Sequence, residues 1–458
     1  MVDSPHKRVL VAAAVSVTLA SLSAPAAAQK ANGQPYDDNC VLCRTKKEVN
    51  EAIPWLRLGA DLRYRFYRID NVKLDKTHPD HEIMFHRPRA RVWAKVAPLE
   101  NLEFNVRLMG EPRTWHKPDS KETWTHCEAL LDQLNVRWKQ AFGLPLTLTV
   151  GRQDFKFGEG WTLRDGTPLD GGRSTFFDAV RATWDAKEID TTFDLIGIYN
   201  HADTAWLHRP FNDQDLDIAE HDERGVVLYA SNKSLENHTL DAYFVYKNDR
   251  KVSSKGWDAE TYSFGLRAKG AIDENWKYRA EIVPQFGQKN DTSLCALGSN
   301  NELAYHFNDK WKNVIRAQYE YRSGDPDTQD GAFDILWGRW YQGSNLWHFY
   351  VAKLEALMAA PSNYHRASIG WTAKPAKKWW FKADYHLLFR DHNTFAGQAG
   401  FSDSGCFRGQ LLTGIIGYDQ NEHIKHHLMV DLFFPGNYYS DARNDVAFFM
   451  KYQIMFTW

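Results

Sequence analysis

VAFFMKYQIMFTW, residues 446–458, ends the chain, and its alternation decides the fold. Phe448, Met450, Tyr452, Ile454, Phe456 and Trp458 share one parity, and Lys451 and Gln453 the other. A period of two is a β-strand with two unlike faces. At a soluble sheet edge this aromatic face would be an unprotected apolar patch. Facing lipid, it is the closing strand of a membrane barrel. Phe456 and Trp458 then form the terminal aromatic signal read by barrel-assembly machinery.

The same pattern runs back to Trp55. In WLRLGADLRYRFYR (55–68), Leu56, Leu58, Ala60, Leu62, Tyr64 and Phe66 oppose Arg57, Asp61, Arg63 and Arg65. LEFNVRL (102–108), WKYRAEIV (276–283) and WWFKADYHLLF (379–389) repeat it. Short links such as 97–101, 185–190, 232–237, 270–275 and 307–310 alternate with long polar ones at 68–82, 112–126, 158–174, 201–221, 248–259, 323–362 and 391–407. Short turns at one end and long loops at the other are the outer-membrane pattern. The reading is all-β: a single transmembrane antiparallel β-barrel of about eighteen strands, with short periplasmic turns, long extracellular loops and both termini periplasmic.

Composition agrees. The 458 residues include 18 Trp, 20 Tyr and 26 Phe, yet the mean hydropathy is −0.55. Strands apolar on alternate residues only give such an average, whereas helical spans would not. Net charge is −2, so no basic excess points to nucleic acid. His6, Lys7 and Arg8, the apolar run Val9–Leu22 and small residues at Ala26 and Ala28 read as a secretory signal over residues 1–28. Residues 29–54 form a periplasmic segment and 55–458 the barrel. Of five cysteines, Cys40 and Cys43 stand as C-V-L-C without the His of a haem site, which reads as a local disulfide in an oxidising compartment.

With apolar residues toward lipid, the opposite parity lines the lumen. It carries Arg63, Arg65, Arg87, Arg89, Arg91, Arg181, Arg267, Arg279 and Arg316, with Arg57, Arg107, Arg137, Arg366, Lys95, Lys269, Lys277, Lys312 and Lys382. The acids on this parity are Asp61, Glu103, Glu281, Glu320 and Asp384, the others gathering in loops. Arginine stays charged when partly desolvated, and its planar fork matches carboxylate or phosphate. Rings of such cations select anions. The alternative is a structural ladder whose arginines meet no solute.

GTPLDGGRST (166–175) imitates a phosphate loop but lacks its lysine, and the residues after it alternate as a strand, where a phosphate loop opens a helix. The alternation slips at Gly151, predicting a glycine bulge that turns Arg152, Asp154 and Lys156 inward, with the long loop folding over or into the pore. The run from GRQ (151–153) through DGTPLDGGRSTFFDAVR (165–181) resembles the hallmark of the alginate-export family of outer-membrane barrels. YRSGDPDTQDGAFD (321–334) and FFPGNY (433–438) are similar to further family segments, in the expected order. The resemblance implies an eighteen-stranded barrel with an arginine-rich constriction passing an acidic polysaccharide, alginate, out of the cell. It also implies lumen roles for Arg87, Arg152 and Arg181. C-V-L-C is not part of the family pattern.

Other motifs do not hold. His81 and His86 lie five apart on opposed parities, so they cannot chelate one zinc. DPDTQDG (325–331) breaks the EF-hand register, G-x-S-x-G is absent, and His427 is a protonatable lumen candidate. No metal or cofactor is implied. Three readings stand: an exporter of an anionic polysaccharide, a general or anion-selective diffusion porin, and a barrel-borne enzyme or adhesin. The expected partners are anionic polysaccharide or small anions, outer-membrane lipid and lipopolysaccharide, barrel-assembly machinery and periplasmic export components, around a monomer.

Overall fold

In the computed structural model the described residues are 41–164, 176–203, 211–212, 221–254, 256–327, 330–338, 344–355 and 361–458. The signal segment, Cys40 and the stretch 165–175 lie outside them. The chain divides into two compact units at Pro54/Trp55. In the first, the helix Val41–Ala52 carries a buried, disulfide-bonded Cys43. Cys127, Cys295 and Cys406 are free thiols.

The second unit is a closed antiparallel barrel of eighteen strands. It opens with Leu56–Asp70 and ends with Ala447–Thr457, and these two pair from Asp61↔Thr457 to Asp70↔Phe448 to seal the ring. Among the described residues no helix is long and apolar enough to cross a membrane. The outer face is the predicted apolar parity: Leu62, Val92, Phe104, Val180, Leu266, Ile369 and Leu412 are all exposed. Trp184, Trp276, Trp371 and Trp379, each near a periplasmic strand end, supply an interfacial aromatic girdle.

The turn asymmetry holds, with one departure. Between Trp276–Lys289 and Thr292–His306 the extracellular link is only Asn290–Asp291. Asn237, Asn290 and Asn308 take positive φ in the tight turns, a conformation their short polar side chains tolerate. Three short strands leave the wall: Ile83–His86, Arg113–Lys117 and Trp124–Thr125, which extend the sheet above the strand Leu56–Asp70. Arg87, Arg89 and Arg91 are therefore not on one strand, because Arg87 and Pro88 separate Ile83–His86 from Arg89–Leu99. Lys312 is not on a strand either; it occupies the turn before Val314–Arg322, at φ 52°.

Among the described residues two large apolar clusters lie inside the barrel, beside a small one of Met109, Leu130 and Phe176. One joins Phe155, Trp161 and Leu163 to Phe333, Leu336 and Trp337 against inward Ile196, Val227, Val245 and Val283. The other packs Leu346, Trp347 and Val351 against Tyr67, Phe433, Tyr438 and Phe449. Two extracellular connections thus fold inward, those after Gln153 and after Arg322, where the sequence indicated only the first. Trp337 fits because Gly225 lies beneath its ring, where a β-carbon would collide with it.

Candidate solute pathway

The register of the first two full-length wall strands brings arginines together. Arg63 faces Arg89 and Asp61 faces Arg91 across the ladder. Alternate inward positions are about 7 Å apart, so guanidinium groups stack up the wall unless acids separate them. Asp61 is 1% exposed and accepts from Arg89 Nη2 at 3.1 Å and Arg91 Nε at 2.7 Å. Glu111 accepts from Arg87 Nη2 at 2.7 Å and also from Arg63. Arg65 donates to the neutral oxygens of Gln453 (2.6 Å) and Tyr67 (3.2 Å). Among the described residues four of these arginines thus share two carboxylates and Arg65 has none, so this bank keeps a formal positive excess.

A second bank lies half-way round the ring. Arg267 donates to Asp241 at 2.5 Å and, through Nε and Nη2, to Glu159 at 2.7 and 2.8 Å. Glu159 comes from the inward-folded connection and also meets Lys269 (3.2 Å) and Arg279 (4.0 Å). Arg279 reaches Glu302 at 3.6 Å. Burial alone would raise the Glu159 pKa, but the hydrogen bond and charge of Arg267, with Arg279 and Lys269, hold it down to about 2. Beside it, a hollow of about 460 Å³ is lined by Lys269, Lys277, Arg279, Glu302, His306 and Glu159.

Three more of the predicted arginines, Arg316, Arg181 and Arg152, stand apart, each beside an acid. Arg316 pairs with Asp384 at 2.6 Å, and Arg181 with Asp194 at 2.7 Å. Arg152 is 4% exposed; it grips both oxygens of Asp178 at 2.8 Å, donates to the Leu131 carbonyl and lies over the Phe176 ring at 3.8 Å. With its guanidinium satisfied in this way, Arg152 is a buried lock between strands. Nor is Gly151 a bulge. The ladders on both sides run through it in register, and the slip comes from its φ of +113°, where a β-carbon would strike the Leu134 carbonyl.

A family model described as Alginate export matches residues 54–452. The chain belongs to the alginate-export family. No curated protein matches it. Among solved structures it is similar to three Pseudomonas barrels, each covering 88% of this chain and 98% of their own. OccK9 (OpdG) of Pseudomonas aeruginosa has 10% identity and a TM-score of 0.58. A BenF-like porin from Pseudomonas fluorescens Pf-5 has 9% and 0.57. Pseudomonas aeruginosa OpdQ has 11% and 0.56. At such identities the likeness shows the fold. This alginate-export family member is an outer-membrane β-barrel channel, and its family and fold are those of transport porins.

In this family member the lumen carries more acid than the parity reading gave it. Asp132, Asp194, Glu223, Asp241, Asp249 and Asp431 are all buried among the cations. Asp132 escaped because it is the extra residue of a true bulge: Arg107 pairs with Gln133 and Leu108 with Leu131, which aims Asp132 at Arg107 Nε (2.7 Å). Asp194 and Asp241 escaped because Ile196, Ile198 and Val245 make their strands apolar on both faces. Glu111 and Glu159 were hidden in connections. The visible trace of Glu159 is its flanks, Gly158 and Gly160, both at positive φ. His221, Glu223 and Asp249 gather ligand-type atoms within 4.8 Å. Lys247 Nζ lies 2.7 Å from Asp249 and 3.9 Å from Glu223, so an ammonium takes the cation's place there. His81 bonds Asn71 while His86 bonds Tyr64, which keeps the two rings on separate partners.

Proposed function

We propose that this outer-membrane channel passes anionic solutes along its arginine banks, and that its physiological cargo is an acidic polysaccharide moving outward. One observation carries the reading: Arg63 and Arg65 on one wall strand converge with Arg89 and Arg91 on its neighbour and with Arg87 just before it, and among the described residues Asp61 and Glu111 are the carboxylates they bond. A polyanion meets several guanidinium groups at once, each contact weak in water and salt but additive along the chain. Arg63, Arg89 and Arg91 keep 11–20% of their side chains accessible, which supports contact with a passing carboxylate. The family's description supports the polymer as cargo.

A second reading, a diffusion porin for small anions, draws on the inward packing of Trp161, Phe333, Trp337 and Trp347, which narrows the room inside the extracellular half. Periplasmic export components, outer-membrane lipid and lipopolysaccharide are the proposed partners of the exporter, a monomer. The test is the reversal potential of the reconstituted protein under a salt gradient. An anionic sign is expected; a cationic sign defeats both readings.

A further inference from the structure

The second bank shows a carboxylate already in place. Glu159 is held by both nitrogens of one face of Arg267, by Lys269 and by the field of Arg279, as a ligand carboxylate would be. Its carrier is an irregular connection between Gly158 and Gly160, and not a wall strand. Next to it the 460 Å³ hollow falls in the range of roughly 300–1,000 Å³ typical of small-ligand sites. Lys269 is 57% exposed there, and Lys277 is exposed with no ion pair among the described residues. Besides Glu159, the acid among the described residues lining the hollow is Glu302, which engages Arg279 and accepts from Gln318. The cations outnumber the acids once Glu159 is set aside.

We propose that this hollow is a carboxylate-binding subsite for a uronic-acid unit, and that Glu159 is its tethered competitor, displaced when a uronate carboxylate enters between Lys269, Lys277 and Arg279. It rests on the anionic-solute reading and deepens it. A tethered group acts at an effective concentration in the millimolar range or above, so it screens out dilute monovalent acids. An oligomer offering several carboxylates competes by multivalency, and the subsite thereby discriminates polymer from free acid. Removing the competitor while keeping its size should tighten oligouronate binding.

The experiment is single-channel block by trigalacturonate added from the periplasmic side, with maltotriose as a neutral control. Glu159→Gln should lower the half-blocking trigalacturonate concentration by about tenfold, the loss of a tethered millimolar competitor, and leave maltotriose unchanged. Lys277→Ala, at an exposed residue outside the ion-pair network, should raise it severalfold with the Glu159 contacts intact. If Glu159→Gln is blocked no more tightly than the parent, or Lys277→Ala no more weakly, the subsite is overturned. Should Glu159→Gln not assemble, the Lys277→Ala comparison decides. A parent channel that trigalacturonate blocks and Glu159→Gln leaves unaltered overturns the subsite alone; a parent that is cation-selective overturns the underlying reading as well.

Discussion

Asp61→Asn removes one charge and almost no volume from the first arginine bank. Asp61 is the only carboxylate partner of Arg89 and Arg91 among the described residues, with contacts of 3.1 and 2.6 Å. Asparagine keeps one acceptor oxygen, so one guanidinium retains a hydrogen bond. Truncating a partner of a buried pair typically costs about 3–5 kcal/mol, and the partial access of Arg91 to the lumen reduces this. The barrel should therefore fold, with a lower heat-modifiability midpoint. The electrostatic gain is larger in consequence. At about 7 Å a unit charge changes the energy of a passing anion by about 0.6 kcal/mol in water and about 2.4 kcal/mol at an effective dielectric near 20. Those limits correspond to roughly threefold and sixtyfold in local anion concentration, before screening over a Debye length of about 10 Å in 0.1 M salt. The permeability ratio for chloride over potassium, read from the reversal potential in a bilayer, should rise at least about twofold. A folded Asp61→Asn barrel with an unchanged ratio would refute the placement of Arg89 and Arg91 on the conducting path.

Three further outcomes are expected. Trp337→Ala removes a buried indole from one internal cluster and one donor to Glu223, at 2.9 Å, leaving that of Asn200; thermal stability should fall by the equivalent of about 3–5 kcal/mol while conductance rises. Deleting Trp458 should lower the yield of heat-modifiable barrel, because its N–H and carbonyl are the last to pair with Ala60 and its ring ends the lipid-facing row. The Glu159 pKa is depressed from 4.5 to about 2, so its ion pairs persist above the ordinary value and are lost as pH falls through that window; conductance noise should be flat from pH 7 to 5 and grow only in acid below about 4.5, a rise absent in Glu159→Gln.

The wall was legible because lipid imposes one rule on every strand. The Val446–Trp458 alternation, with Arg63, Arg89 and Arg91 opposite Leu62 and Val92, follows from period two alone. The site was legible in its cations and in Asp61, and not in its other acids. Arginines on clean alternating strands announce their side, but Glu111 and Glu159 come from connections, where no period constrains direction. Asp132 is aimed by a bulge, and Arg152 by a flipped glycine that preserves the register, so both break the parity argument locally. The connection after Arg322 read as polar, yet Phe333, Trp337 and Trp347 fold inward, since a barrel this wide has a lumen that its own wall side chains do not fill.

The central claim is that the guanidinium groups beside Asp61 and Glu111 contact the solute. Arg63→Ala, Arg89→Ala and Arg91→Ala combined, with Arg152→Ala as a control at a buried lock, should be compared for single-channel block by trigalacturonate. The account predicts that the triple variant loses most of its block and shifts toward cation preference, whereas any Arg152→Ala channels that assemble are blocked like the parent. A folded triple variant blocked as strongly as the parent would contradict it.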